Sequence, residues 1–213
     1  MIRRGCDLNW YQLLLDIVQF HESEFCASIQ KIKETSGLKS GIGRLDGALL
    51  YMLVRWTKPL TLVETGTYCG LSAAYLIRAM KDNGTPAHLY TIDVHQTEDL
   101  SPLISHEDQS RYLTRITGDG LEVACGGALP AEIDFFFHDS VHRYEHQLAE
   151  FQAFWPRIRT GGILASHDVH KNASFSKFCA DTYSHDERGY ANDGTTHSFH
   201  GSFASSGFIQ KRA

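Results

Sequence analysis

Asp139, in FFFHDSVHRYE (Phe135 to Glu145), and Asp168, in SHDVH (Ser166 to His170), each close a short apolar run, with His138, His142, His167 and His170 crowded around them. Two carboxylates brought to one rim repel each other, so a metal ion or a cationic ligand is their natural third party. An imidazole titrates at a pKa of about 6.5, which suits His142 to take a proton at neutral pH. The chemistry implied is deprotonation of an attacking hydroxyl. His142 would do this directly, or a divalent ion (Mg2+ or another) held by Asp139 and Asp168 would lower the hydroxyl's pKa. An acid at position 139 would equally suit the N-terminal end of the next helix. His197 and His200 read as solvated polar residues rather than ligands.

A second constellation lies earlier, in LVETGTYCGLS (Leu62 to Ser72), where an apolar run meets Glu64 and then Gly66 and Gly70. Such glycines let the backbone turn tightly and approach a ligand. A dinucleotide site wants Gly-x-Gly-x-x-Gly with a pyrophosphate on the helix N-terminus. Here Tyr68 holds the central glycine's place and Glu64 would face the phosphate. S-adenosyl-L-methionine, with an ammonium, a sulfonium and no phosphate, is the better match to that acid. Asp93, closing LYTID, is placed for ribose hydroxyls, which both cofactors carry, and Asp119, in ITGDG, for an adenine amino group. An NAD(P)-dependent oxidoreductase is the second reading, and a non-catalytic cofactor-binding protein the third.

The elements that must position these residues follow from the hydrophobic rhythm. Leu8, Tyr11, Leu15 and Val18, then Phe25, Ile29 and Ile32, then Leu45, Leu49, Met52 and Trp56 recur at helical spacing, interrupted by SGLKSGIG (Ser36 to Gly43). From Leu60, short apolar runs alternate with helical patterns, as in βαβ units with a mainly parallel sheet. Strands are expected at 61–65, 88–93, 114–117, 133–138 and 162–167. Val141, Tyr144, Leu148, Phe151 and Trp155 predict a helix with His142 in its first turn, and Gly161-Gly162 a turn into the fifth strand. A helix at 172–182, a polar loop at 184–206 and a last edge strand in GFIQKR complete the reading. Both constellations then lie beyond the carboxyl ends of strands, where open α/β sheets bind ligands.

VETGTYCGLSA resembles the first motif of class I S-adenosylmethionine-dependent methyltransferases, in the catechol O-methyltransferase form Glu-x-Gly-x-Tyr-x-Gly-x-Ser, and the likeness extends from about residue 42 to 170. It implies a Rossmann-like, doubly wound α/β fold with a mostly parallel seven-stranded sheet and helices on both faces. One domain is expected, with a helical N-terminal extension (1–58) and a cofactor-binding core (59–213). By the same likeness Glu64, Gly66, Tyr68, Gly70 and Ser72 hold the methionine part of the cofactor, and Asp93 the ribose. The segment from Asp139 is similar to Asp-Gly-x-His-x-Tyr-Glu in a bacterial small-molecule O-methyltransferase family whose members often act on natural products, with Ser140 in the glycine's place. Asp139 and Asp168 fall where metal-binding aspartates lie, and His142 near the catalytic lysine. The family's Asn after the second Asp is Val169 here. His167 or His170 as substitute ligand would favour a transition metal over magnesium. The expected reaction is O-methylation of a small hydroxylated molecule, with Asp139 serving cofactor, proton transfer and metal.

Composition excludes several classes. A net charge of −5 leaves no basic excess to hold a nucleic-acid backbone. No apolar stretch is long enough to span a bilayer and MIRRGCDLNW lacks a signal-peptide core, so a cytoplasmic protein is expected. Five scattered cysteines without a Cys-x-x-Cys pair read as reduced thiols. The N-terminal helices and the 184–206 loop are expected to cover the small-molecule acceptor, or the helices to form a homodimer contact.

Overall fold

Phe135, Phe136 and Phe137 are all fully buried, which a strand achieves when both faces of its sheet are covered. In the computed structural model, which describes residues 10–37, 41–96, 99–184, 196–198 and 205–211, they lie on the central strand of a seven-stranded sheet. The strands are β1 (Thr61–Thr65), β2 (His88–Asp93), β3 (Leu113–Thr117), β4 (Ile133–His138), β5 (Ile158–Ser166), β6 (Thr196–Ser198) and β7 (Gly207–Gln210). Their order is β3-β2-β1-β4-β5-β7-β6, with β1 to β5 mutually parallel and β7 antiparallel to both its neighbours. The strand order reverses between β1 and β4, which opens the ligand crevice of a doubly wound sheet there.

Eight α-helices are described: α1 (Trp10–His21), α2 (Glu24–Thr35), α3 (Arg44–Thr57), α4 (Leu71–Asn83), α5 (His106–Tyr112), α6 (Gly120–Cys125), α7 (Tyr144–Phe154) and α8 (Ser174–Ser184). Side chains alternate across the strands and so feed two cores. Leu62, Leu89, Phe135, Phe137 and Ile163 join Leu50, Tyr75 and Met80 of α3 and α4, with Leu13 and Ile29 of α1 and α2 added outside. Val63, Ile92, Phe136, Leu164 and Ile209 join Val123, Phe151, Phe154 and Phe175 of α6, α7 and α8 on the other face. No helix among the described residues is long and apolar enough to cross a membrane.

The structure departs from the sequence reading at four places. Gly161 and Gly162 lie inside β5 instead of before it: Ile133 pairs with Ile158 but Phe135 with Ile163, so β5 bulges there, with Gly161 at φ +81°. The closing strand is not an edge, because β6 pairs on its far side; β6 itself falls in the stretch read as a loop. The rest of that loop (185–195, 199–204), with His200, lies outside the described residues, as does Leu8. His142 precedes α7 instead of opening it. Arg143 holds the N-cap with no side-chain bond, so Asp139 is not a helix cap.

Candidate active site

The turn after β1 is built against the end of β4. Gly66 has φ +92°, and a Cβ on it would stand 2.2 Å from the Asp139 carbonyl oxygen, so only glycine fits this crossing. Its N–H donates to the Ile92 carbonyl at 2.8 Å, which ties the turn to β2. Tyr68 is also left-handed (φ 40°), held by its N–H donating to Asp93 Oδ2 at 2.9 Å, and Gly70 opens α4. Asp93 Oδ1 accepts from the His95 N–H at 3.0 Å. Asp119 caps α6, accepting from the Leu121 N–H at 2.9 Å.

A cavity of about 230 Å³ opens at this point. Gly66, Tyr68, Asp93, Asp119 and Asp139 line it; Glu64, Gly70 and Ser72 do not. Glu64 is fully buried, accepting from the Ser72 hydroxyl and from Thr91 Oγ1 at 2.7 Å. Burial, helped by Asp139 and Asp93, carries its pKa up to about 8 against those two donors. The expected direct attraction between Glu64 and a cation is therefore corrected: its oxygens are engaged inside the core.

Asp139 also belongs to a second group on the same rim. Its Oδ1 accepts from His167 Nδ1 at 2.9 Å and lies 3.5 Å from His142 Nε2. Asp168 Oδ2 stands 3.2 Å from His142 Nε2, 3.5 Å from His167 Nδ1 and 2.5 Å from Lys171 Nζ. Asp139, His142 and His167 present one ligand atom each within 4.8 Å of one another, a grouping that leaves Asp168 outside. His170 is exposed and outside it as well.

The two imidazoles are biased in opposite directions. Burial holds His142 below the usual histidine pKa in spite of Asp139 and Asp168. Burial acts the same way on His167, but its hydrogen bond to Asp139 and the charges of Asp139, Asp168 and Asp46 outweigh it and hold this ring above the usual value. For Asp168 burial would raise the pKa, and Lys171, His167 and His142 together bring it below the ordinary carboxyl range. Of the two rings, His142 is thus the readier to stay neutral and His167 the readier to hold a proton.

Several site residues escaped the sequence reading. Glu150 of α7 is buried, accepts from Thr65 Oγ1 at 3.0 Å and Ser140 Oγ at 2.7 Å, and lies 3.1 Å from His138 Nε2. Burial would raise its pKa, but His138, Ser140 and His146 outweigh that and lower it. Its Oε1, 3.5 Å from His146 Nε2, has no hydrogen-bond partner among the described residues, and the residue lines the cavity. The available signal was a charged residue on the apolar face of a helix, beside Phe151. Gln147 is a buried junction, donating to Ser166 Oγ at 3.0 Å and accepting from Asn172 Nδ2 at 3.0 Å; Asn172 in turn donates to the His142 carbonyl at 3.1 Å. Asp46, in the first turn of α3, stands 3.9 Å from His167 Nε2.

Residues 63–169 match the model of a family described as a methyltransferase domain. No curated protein matches the sequence. Solved structures share its fold. One is a Podospora anserina methyltransferase bound to SAH, with 14% identity, a TM-score of 0.60 and both chains covered in full. Another is an O-methyltransferase from Bacillus cereus in complex with SAH, with 17% identity, a TM-score of 0.61 and coverage of 88% of this chain and 90% of that one. A third is an O-methyltransferase from Streptomyces achromogenes involved in tomaymycin synthesis, in complex with SAM, with 16% identity, a TM-score of 0.61 and coverage of 96% and 99%.

Proposed function

This chain belongs to the methyltransferase-domain family, and from that premise we propose that it is an S-adenosyl-L-methionine-dependent O-methyltransferase acting on a small hydroxylated molecule. The observation that carries this is the double membership of Asp139, which lines the cavity beyond β1 and also anchors the His142–His167 group. Cofactor and proton chemistry are thereby brought to one side chain. Asp93 is assigned the ribose and Asp119 the adenine amino group. Gly66 and Tyr68 are assigned the methionine end, with Gly70 and Ser72 behind them at the start of α4 and Glu64 bracing Ser72. A dinucleotide is the weaker fit, since Tyr68 occupies the place of the fingerprint's central glycine.

In the reaction the acceptor oxygen attacks the methyl carbon in line with the sulfur. The O–C bond forms as the C–S bond breaks, the electron pair returns to sulfur, and the acceptor's proton must leave. His142 is the group to take it. Burial holds its pKa down, Nδ1 is buried with no hydrogen-bond partner among the described residues, and Nε2 is the nitrogen turned to the rim. Asp139 and Asp168 then stabilise the imidazolium formed, and holding the reactants in line supplies much of the remaining acceleration.

The divalent ion implied by the catechol-type resemblance fits donors that are present: an Asp139 oxygen with the His142 and His167 nitrogens. Bound there, an ion would act as a Lewis acid that lowers the pKa of the acceptor hydroxyl.

Calorimetry of metal-stripped protein with S-adenosylmethionine, its demethylated product and NAD tests the proposal, together with transfer of labelled methyl to a panel of phenolic and aliphatic hydroxyls. The sulfonium cofactor and its product should bind and NAD should not. His142→Ala should keep cofactor affinity while metal-free turnover falls by ~100-fold or more. Binding of NAD alone would overturn the assignment. Cofactor binding without transfer to any acceptor would favour the non-catalytic reading.

A further inference from the structure

We infer that Asp139, His142 and His167 form a one-carboxylate, two-imidazole site that selects a transition-metal ion such as Zn2+, Co2+ or Ni2+ over Mg2+. The inference deepens the proposed function, resting on its placement of the acceptor at this rim. The first support is spacing. Around an ion with bonds of about 2.0–2.1 Å, tetrahedral ligand atoms stand about 3.3 Å apart. Asp139 Oδ1 lies 2.9 Å from His167 Nδ1 and 3.5 Å from His142 Nε2, and the three residues each offer a ligand atom within 4.8 Å of the others. The two carboxylate–imidazole separations lie within a few tenths of an ångström of that value.

The second support is donor chemistry. Mg2+ demands an oxygen octahedron and dehydrates reluctantly, whereas imidazole suits zinc, copper, iron and nickel. This chain has apolar Val169, 5% exposed, directly after Asp168, where the resemblance would put an amide oxygen. Asp168, the other oxygen donor, stands outside the group and is bound by Lys171 Nζ at 2.5 Å. One amide oxygen is thus replaced by an apolar side chain and the second carboxylate, though within 3.2 Å of His142 Nε2, is engaged by a lysine, while two ring nitrogens stand beside Asp139. The third support is the outer sphere. Ligating histidines commonly turn their second nitrogen to a carboxylate, and His167 Nε2 faces Asp46 Oδ2 at 3.9 Å. An ion here takes the Nε2 lone pair of His142, so ion-loaded and ion-free forms handle the acceptor's proton differently.

The test uses the full chain, free of any affinity tag and stripped with chelator. Equilibrium dialysis with Co2+, Zn2+ or Mg2+ gives stoichiometry and affinity, and the visible absorption of Co2+ reports its coordination. One Co2+ per chain is expected, with the intense bands of a low-coordinate nitrogen–oxygen site and an affinity at least ~100-fold above that for Mg2+. His167→Ala should weaken Co2+ by ~100-fold or more, Asp168→Asn by ~10-fold at most, and the exposed His170→Ala not at all. Should His167→Ala misfold by circular dichroism, His142→Asn provides the same reading. Mg2+ binding as tightly as Co2+, or unchanged Co2+ affinity in the folded ligand variant, overturns the inference. Calorimetry with S-adenosylmethionine on the same stripped protein separates the two proposals. Cofactor binding without Co2+ binding sinks the metal site alone, and Co2+ binding without cofactor binding sinks the methyltransferase reading alone.

Discussion

Glu64 shows how far burial can move a single group. Its carboxyl has an ordinary pKa of 4.5 and one of about 8 in the fold, because ionising it places a charge in a fully buried position that two hydroxyl donors only partly compensate. Between those two values the folded protein keeps a proton that the unfolded chain has released. The native state then binds more protons than the unfolded one, so stability falls as pH rises from 4.5 and levels off above about 8. Glu64→Gln removes this dependence while filling the same space. Urea unfolding of the cofactor-free protein at pH 5.5 and 8.5 should show the wild type losing a few kcal/mol more than the variant, and parallel losses would refute the argument. The motif around Glu64 was legible because an acid between a strand and two glycines is unusual. Its orientation was not, because sequence does not say that Ser72 and Thr91 would take both oxygens. For Glu150 the place of an acid on the apolar face of a helix was a signal, but its role was not legible until His138 and Ser140 were found beside it.

Among the elements, the turn from β1 to α4 is the most sharply constrained. Gly66 and Gly84 both have positive φ, +92° and +62°, but a Cβ on Gly84 meets nothing within 4 Å, whereas on Gly66 it strikes the Asp139 backbone. Gly84→Ala should therefore cost only the left-handed conformation, about 1–2 kcal/mol. Gly66→Ala should cost that and a further ~1–3 kcal/mol for displacing the end of β4, and should weaken the cofactor as well. Denaturant melts of the two variants, with calorimetry on whichever folds, decide the matter; equal losses would show that the crossing is softer than its geometry implies. The run of Phe135 to Phe137 announced a strand buried on both faces, and β1, β2 and β4 lie where alternation and turn residues put them. At β5 the same logic failed, because Gly161-Gly162 reads as a turn. It is a bulge held in the sheet by pairing with β4 and β7, and local sequence carries no trace of pairing partners.

Across the whole molecule, the start of α3 and the segment leading into β7 meet beside the site. Asp46 Oδ1, at the start of α3, accepts from the Ser205 N–H at 2.7 Å and from Ser206 Oγ at 2.8 Å, and the Ser205 carbonyl accepts from the Val169 N–H at 3.0 Å. The N-terminal helical region is thus fastened to the segment that leads into β7, next to His167. Nothing local in either stretch signals this, since the partners lie 159 and 160 positions apart. Removing the carboxylate with Asp46→Ala leaves two donors short of an acceptor, one of them on the fully buried Ser206. Each buried group left unsatisfied costs about 1–3 kcal/mol, so a global loss of about 2 kcal/mol or more is expected. The location of the loss is the more telling quantity. If Asp46 acts as a clasp, amide hydrogen exchange should quicken at Ser205, Phe208 and Ile209 well before the central strands β1 and β4 respond, because β7 is pinned by its antiparallel neighbours and by this tie. Uniform acceleration in all strands would instead make Asp46 an ordinary member of the core. Exchange confined to β7 would show that one acid at the start of α3 holds the closing strand beside the histidine pair.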